Sequence, residues 1–274
     1  MKSVVVEDAE LFYEHTPRPG APALLMLHAL GANLHMWDRQ AEELQQRFEL
    51  IRYDLRGHGQ SSAGSSDELT LDRLARDALA VLDACDVARA HLCGLSLGGM
   101  IAMHIARHWP DRVLKVALCS TSPYMPPPQM WNDRIATVRS QGTAALTEGI
   151  LQRWFTPEFR EREPAQVDEV RQMLLATRPE GYAACCAAIR DMDLREDLAS
   201  IVATTLVVGT TRDPSLPPSL AESIATSLGS AKLVLLDAAH LANIEQTQEF
   251  NRTVLEFFGA EATEQIAGAA SNPT

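Results

Sequence analysis

Gly94-Leu95-Ser96-Leu97-Gly98-Gly99 follows a short apolar run ending at Cys93 and opens a helix-patterned stretch from Leu97. A strand, a tight turn and a helix are expected in that order. Glycines at 94 and 98 relieve crowding where the turn leaves no room for a Cβ, which lifts the Ser96 hydroxyl above the end of a sheet. The turn also puts Ser96 at a helix N-terminus, where unpaired N–H groups stabilise developing negative charge. A glycine-rich structural turn that merely contains a serine has the same pentapeptide, so the residues available to serve Ser96 decide the matter.

A serine alcohol is a weak nucleophile at neutral pH. It needs a histidine base, and the imidazole needs a carboxylate to fix its tautomer. The apolar run 206–209 leads into Thr210-Thr211-Arg212-Asp213-Pro214, and the run 233–236 leads into Asp237-Ala238-Ala239-His240. Asp213 and His240 therefore stand just past the carboxyl ends of two strands, where parallel sheets hold their ligands. Asp237 is a rival acid, but three residues before His240 on the same loop it is poorly placed to approach the ring from behind. An oxyanion formed at Ser96 needs N–H donors, which we assign to Leu97 and to Leu30 in Leu27-His28-Ala29-Leu30-Gly31. His28 reads as a brace for that loop, not as a base. Arg52-Tyr53-Asp54-Leu55-Arg56-Gly57-His58-Gly59 reads as a hydrogen-bonded turn bracing the sheet. The eight histidines show no HExxH and no paired ligand spacing, so no metal is expected.

Outward from the Ser96 turn, apolar runs at 23–28, 50–54, 91–93, 113–119, 206–209 and 233–236 have the length of buried parallel strands. Residues 37–48, 71–85, 97–109 and 246–257 space their apolar side chains three and four apart and read as crossover helices. Residues 4–6 and 11–15 form an antiparallel N-terminal pair, with Arg18-Pro19-Gly20 as a turn into the sheet. The fold class is α/β: a mostly parallel, doubly wound sheet. Between about 120 and 200 no strand-like run occurs and Pro126-Pro127-Pro128 opens a helical pattern, so a helical cap at 121–199 is inserted into a core formed by 1–120 and 200–258. The small, polar stretch 259–274 has little to bury and is expected to be a flexible tail.

With 24 basic and 36 acidic residues the net charge is -12, which repels nucleic acid and anionic membranes, so an anionic ligand requires a local arginine or lysine. Five cysteines without CxxC spacing argue for a reducing compartment. Cys185-Cys186, among alanines, suits close packing better than redox chemistry. The N-terminal stretch meets Glu7 and Asp8 before any long apolar region, and no later segment is long and uncharged enough to span a bilayer, so a cytoplasmic location is expected.

The Ser, Asp, His order resembles the α/β-hydrolases, and within that fold the chain resembles the 3-oxoadipate enol-lactonases. The matching residues include Leu34-His35-Met36-Trp37-Asp38, Cys93 to Met100, Arg153-Trp154-Phe155-Thr156, Gly181-Tyr182-Ala183-Ala184-Cys185-Cys186-Ala187-Ala188-Ile189-Arg190-Asp191-Met192-Asp193, and Asn243-Ile244-Glu245-Gln246. The resemblance implies hydrolysis of 3-oxoadipate enol-lactone to 3-oxoadipate in protocatechuate or catechol degradation. No cofactor is implied, and Ser96, Asp213 and His240 match the triad. Leu97 stands where many members have Met, and Ala29 where Ser is common; both bear on pocket shape. Some relatives are fused to a carboxymuconolactone decarboxylase domain, and no such second domain is expected here.

The implied partner is a small anionic lactone, so the cap should supply a cation. Trp131 and Arg134 are three apart on an expected helix and share a face. Arg134 is the first choice, with Arg153 and Arg190 behind it; Asp191 and Asp193 can neutralise Arg190. Other readings are a capped carboxylesterase, a carbon–carbon bond hydrolase of ring-cleavage products, or a ligand-binding receptor on the same scaffold.

Overall fold

A computed structural model describes residues 2–65 and 69–259. Its strands are β1 (Lys2–Val6), β2 (Ala9–Thr16), β3 (Ala23–Leu27), β4 (Glu49–Tyr53), β5 (Ala90–Leu95), β6 (Val113–Cys119), β7 (Thr204–Thr210) and β8 (Lys232–Leu236). They form one eight-stranded sheet in the order β1-β2-β4-β3-β5-β6-β7-β8. β2 runs antiparallel to both β1 and β4, and the remaining neighbours are parallel. Every apolar run expected to be a strand is one. β3 and β5 are buried at every residue, as strands covered on both faces must be.

The chain leaves β3 for β4 on one side and returns to β5 on the other. The crevice beyond the carboxyl ends of β3 and β5 is thus the switch point where such sheets bind ligands. The loop holding Leu30 and the turn holding Ser96 flank it.

Helices α1 (Asp38–Leu44), α2 (Leu71–Ala84) and α3 (Leu97–His108) belong to the first crossovers. In α2, Leu71, Leu74, Ala75, Ala78 and Leu82 bury one stripe, and Thr70 caps its N-terminus by accepting the Arg73 N–H at 3.2 Å. The expected helix at 37–48 is shorter than its pattern. A 3-10 turn (Leu34–Trp37), capped by the Asn33 side chain, precedes α1.

Five helices follow β6: α4 (Pro128–Gln141), α5 (Ala144–Trp154), α6 (Pro157–Arg162), α7 (Pro164–Ala176) and α8 (Pro179–Asp191). The segments entering and leaving this insertion lie side by side, with Tyr124 bridging Asp193 and the Leu194 N–H donating to Pro123 O at 2.8 Å. Residues 181–189 of α8 are all buried, so Cys185 and Cys186 pack in a small-residue face. That face comes so close that a Cβ on Gly57 would stand 2.3 Å from Gly181 Cα. Arg178 N–H donates to Gly57 O at 3.2 Å beside this contact.

Between β7 and β8 lies α9 (Pro218–Ser227), a helix not among those expected, whose Pro218 occupies the first turn, where proline is well suited. The helix expected at 246–257 is α11 (Thr247–Gly259), and a further short helix, α10 (Ala242–Glu245), precedes it. The tail reading at 259–274 falls outside the described residues except for Gly259, which closes α11.

Candidate active site

The turn after β5 explains its own glycines. A Cβ on Gly94 would meet Gly98 O at 2.2 Å, and one on Gly98 would meet Leu27 O at 2.0 Å. Only hydrogen fits where β5, α3 and the end of β3 converge. Ser96 between them holds φ 57° and ψ −117°, a backbone conformation that side-chain-bearing residues rarely adopt. Its backbone is fixed on both sides, the N–H donating to Cys119 O at 2.9 Å and the carbonyl accepting Thr121 Oγ1 at 2.7 Å. Although Ser96 occupies the N-cap of α3, its hydroxyl makes no capping bond. It remains available and faces a cavity of about 460 Å³.

His240 lines the same cavity, and its Nδ1 donates to Asp213 Oδ2 at 2.6 Å. Both side chains are buried. The other carboxylate oxygen of Asp213 accepts the N–H groups of Ser215 at 2.7 Å and Leu216 at 3.1 Å. Burial opposes ionisation of Asp213, but the His240 imidazole and these two N–H groups hold its pKa below the ordinary carboxylate value. The ionised carboxylate keeps the proton on Nδ1, which leaves Nε2 as the acceptor on the cavity side. Asp237, the rival acid, is exposed and accepts Thr211 Oγ1 at 3.1 Å instead. Among the described residues no hydrogen bond joins Ser96 to His240, and bonds between nucleophile and base commonly tighten around substrate.

Leu30 also lines the cavity, and among the described residues neither its N–H nor that of Leu97 has an acceptor. Two unspent donors therefore remain, that of Leu97 next to Ser96 in the chain and that of Leu30, a residue that shares the cavity wall with Ser96. The Leu30 loop is held rigidly. Leu34 N–H donates to Asp54 Oδ1 at 2.8 Å, Leu55 N–H to His28 Nε2 at 2.9 Å, and Gly31 N–H to His58 Nε2 at 2.9 Å. Because each Nε2 accepts, each Nδ1 carries the proton, and it is given to Ala29 O in His28 and to Arg56 O in His58, both at 2.8 Å. The bracing roles expected for His28 and for the 52–59 turn are thus the roles they have.

Trp131 and Arg134 both line the cavity, as does Arg153. The Arg134 guanidinium lies 5.2 Å from the Trp131 ring centroid and donates to Tyr182 OH at 3.3 Å. Arg190 forms a bidentate pair with Asp191 and is outside the cavity lining.

Two contributors escaped the sequence reading of roles. Trp154 stacks on His240, with ring centroids 5.8 Å apart and planes at 24°. Its carbonyl accepts Leu241 N–H at 3.1 Å. Buried Glu245 accepts Ala239 N–H at 3.1 Å and Thr156 N–H at 3.3 Å, and also the Thr156 hydroxyl. One carboxylate thus ties the His240 loop to the end of α5. Only the Arg153-Trp154-Phe155-Thr156 and Asn243-Ile244-Glu245-Gln246 matches hinted at either residue; no spacing rule relates positions some ninety residues apart.

The profile of the α/β-hydrolase fold matches residues 22–247. The chain belongs to the α/β-hydrolase family. This hydrolase is 33% identical to 3-oxoadipate enol-lactonase 2 of Acinetobacter baylyi over 92% of its own length and 94% of that protein. Among solved structures, the enol-lactonase of Burkholderia xenovorans LB400 superposes with a TM-score of 0.92 at 36% identity, over 94% of this chain and 100% of that one. A malate-bound thermophilic esterase of Thermogutta terrifontis superposes with a TM-score of 0.89 at 28% identity, over 95% of this chain and 99% of that one. Among the described residues no helix is long and apolar enough to cross a membrane.

Two predictions follow from the bracing. Burial pushes the pKa of His28 down to about 3, with His58 adding to the effect, and burial pushes His58 down to about 4. Both rings titrate near 6.5 in the unfolded chain, so only the unfolded state takes up protons between about pH 4 and 6.5. Their contribution to stability is complete above that window and falls as pH drops through it, by about 2 kcal/mol each at pH 5. Urea unfolding at pH 8 and pH 5 should show a large loss, smaller in His58→Gln; equal stability at the two values would refute the assignment of neutral rings. For the carboxylate strut, Glu245→Ala removes the acceptor of the Ala239 and Thr156 N–H groups, which should cost about 2 kcal/mol of stability. The same change should lower kcat about tenfold or more by loosening His240, as urea titration and steady-state rates would show.

Proposed function

We propose that this chain hydrolyses 3-oxoadipate enol-lactone to 3-oxoadipate through an acyl-enzyme on Ser96. The observation that carries the proposal is the convergence, in one cavity, of Ser96 and His240 with two cap arginines and, among the described residues, no carboxylate in the lining. A protein of net charge -12 that turns cations toward its nucleophile is suited to an anionic acyl substrate. The enol-lactonases among its relatives support the choice of lactone.

In this scheme His240 Nε2 removes the Ser96 proton as Oγ bonds to the lactone carbonyl carbon. The carbonyl electron pair moves to oxygen and is held by the Leu30 and Leu97 N–H groups. Collapse re-forms the carbonyl and breaks the ring carbon–oxygen bond. The departing enolate, a better leaving group than an alkoxide, takes the proton from His240 or from solvent, and the opened chain stays attached as an ester of Ser96. Water, deprotonated by His240, then attacks that ester, and Oγ leaves with the proton. The freed enol tautomerises to the ketone, which discourages reclosure. The substrate carboxylate meets Arg134, which Trp131 and Tyr182 hold in place. The same reading puts the enzyme in the cytoplasm, in protocatechuate or catechol breakdown, and the scheme as written uses no cofactor.

The purified protein should turn over the enol-lactone far faster than p-nitrophenyl esters or a dienoic ring-cleavage product. Ser96→Ala should abolish that turnover, and Arg134→Met should raise KM for the lactone about tenfold or more with a smaller change in kcat. Preferred turnover of simple esters would favour the esterase reading, which the Thermogutta terrifontis relative represents, and turnover of only the dienoic compound would favour a carbon–carbon bond hydrolase. Unchanged KM and kcat in Arg134→Met would remove that residue from the scheme.

A further inference from the structure

The cavity holds one more cation than a monoanionic lactone requires. Arg134 and Arg153 both line it, and among the described residues neither forms an ion pair with a carboxylate. Several other cap arginines are paired, Arg162 with Glu163, Arg171 with Glu148 and Asp168, Arg190 with Asp191 and Arg195 with Asp193, whereas among the described residues Arg160 and Arg178 form no ion pair. Arg153 is in the last turn of α5, where the helix dipole favours a cation. That accounts for its charge and leaves its position in the cavity wall unexplained. Its guanidinium lies near Gly149, where even an added Cβ would be 3.6 Å away. The next residue, Trp154, stacks on His240, so this end of α5 borders the reacting centre.

We propose that Arg134 and Arg153 form a dicarboxylate site, in which Arg134 takes the carboxylate the substrate brings and Arg153 takes the one that hydrolysis creates. This rests on the reading that the substrate anion faces the cap. Hydrolysis supplies the second charge: a lactone bearing one carboxylate takes up water, its acyl carbon–oxygen ring bond breaks, and the new acid loses a proton to His240 and then to solvent. The ligand passes from one negative charge to two within a single cavity. Burial, together with the neighbouring Arg134, lowers the pKa of Arg153. A second carboxylate relieves that repulsion, so the pocket should retain dicarboxylic acids and the released product should compete with substrate.

Calorimetric titration of the full chain with adipate and with hexanoate, which share a chain length and differ by one carboxylate, tests this without any turnover. Adipate should bind about tenfold or more tightly than hexanoate, as an added charge-assisted contact predicts. Arg153→Met should reduce that ratio to within about threefold of unity, and Arg153→Lys, which keeps the charge, should retain part of it. Equal affinities in the unaltered protein would overturn the proposal whatever the variants do, as would an undiminished ratio in Arg153→Met. A chain that fails to open the enol-lactone yet discriminates between the two acids would disprove the proposed reaction and leave the dicarboxylate site standing.

Discussion

Three backbone segments meet at the end of β5 with no space for a side chain at Gly94 or Gly98, and the rest of the site follows from that crowding. The close approach forces Ser96 into its positive-φ conformation and directs its hydroxyl away from the helix it would otherwise cap. The same approach brings the end of β3, and with it the Leu30 loop, against the start of α3. The proposed nucleophile and two unspent N–H donors are thereby held by backbone packing.

Around this turn the polar groups act mainly as fasteners. Asp54, His28 and His58 clamp the loop after β3 to the loop after β4 through neutral imidazoles and one carboxylate, all buried. Glu245 and the Trp154 carbonyl fasten the end of α5 to the loop carrying His240. One of the contacts between cap and core is at the imidazole itself, where Trp154 stacks on His240. In the proposed reaction, that arrangement would couple recognition of an anion by the cap to the orientation of His240.

Much of this was readable from the chain, because the features concerned are local. Apolar runs of strand length marked all eight strands, since buried parallel strands need continuous hydrophobicity. Ser96, Asp213 and His240 were recognisable because each lies one turn beyond a strand end. The Trp131–Arg134 pair emerged from helical spacing. What escaped was long-range or hidden by local signals. Gly57 against Gly181, Trp154 on His240 and Glu245 under Ala239 join residues far apart in sequence, and only the folded sheet brings them together. α9 and the short α10 were not marked by any pattern read from the chain.

The central claim is that the crowded turn presents Ser96 as a nucleophile driven by His240 and Asp213. Treatment with a small fluorophosphonate, followed by intact mass measurement and peptide mapping, addresses it most directly. The account predicts a single adduct on Ser96 that forms at least about 100-fold more slowly in His240→Asn and in Asp213→Asn. An adduct on another residue, or labelling of Ser96 at the same rate in His240→Asn, would contradict it.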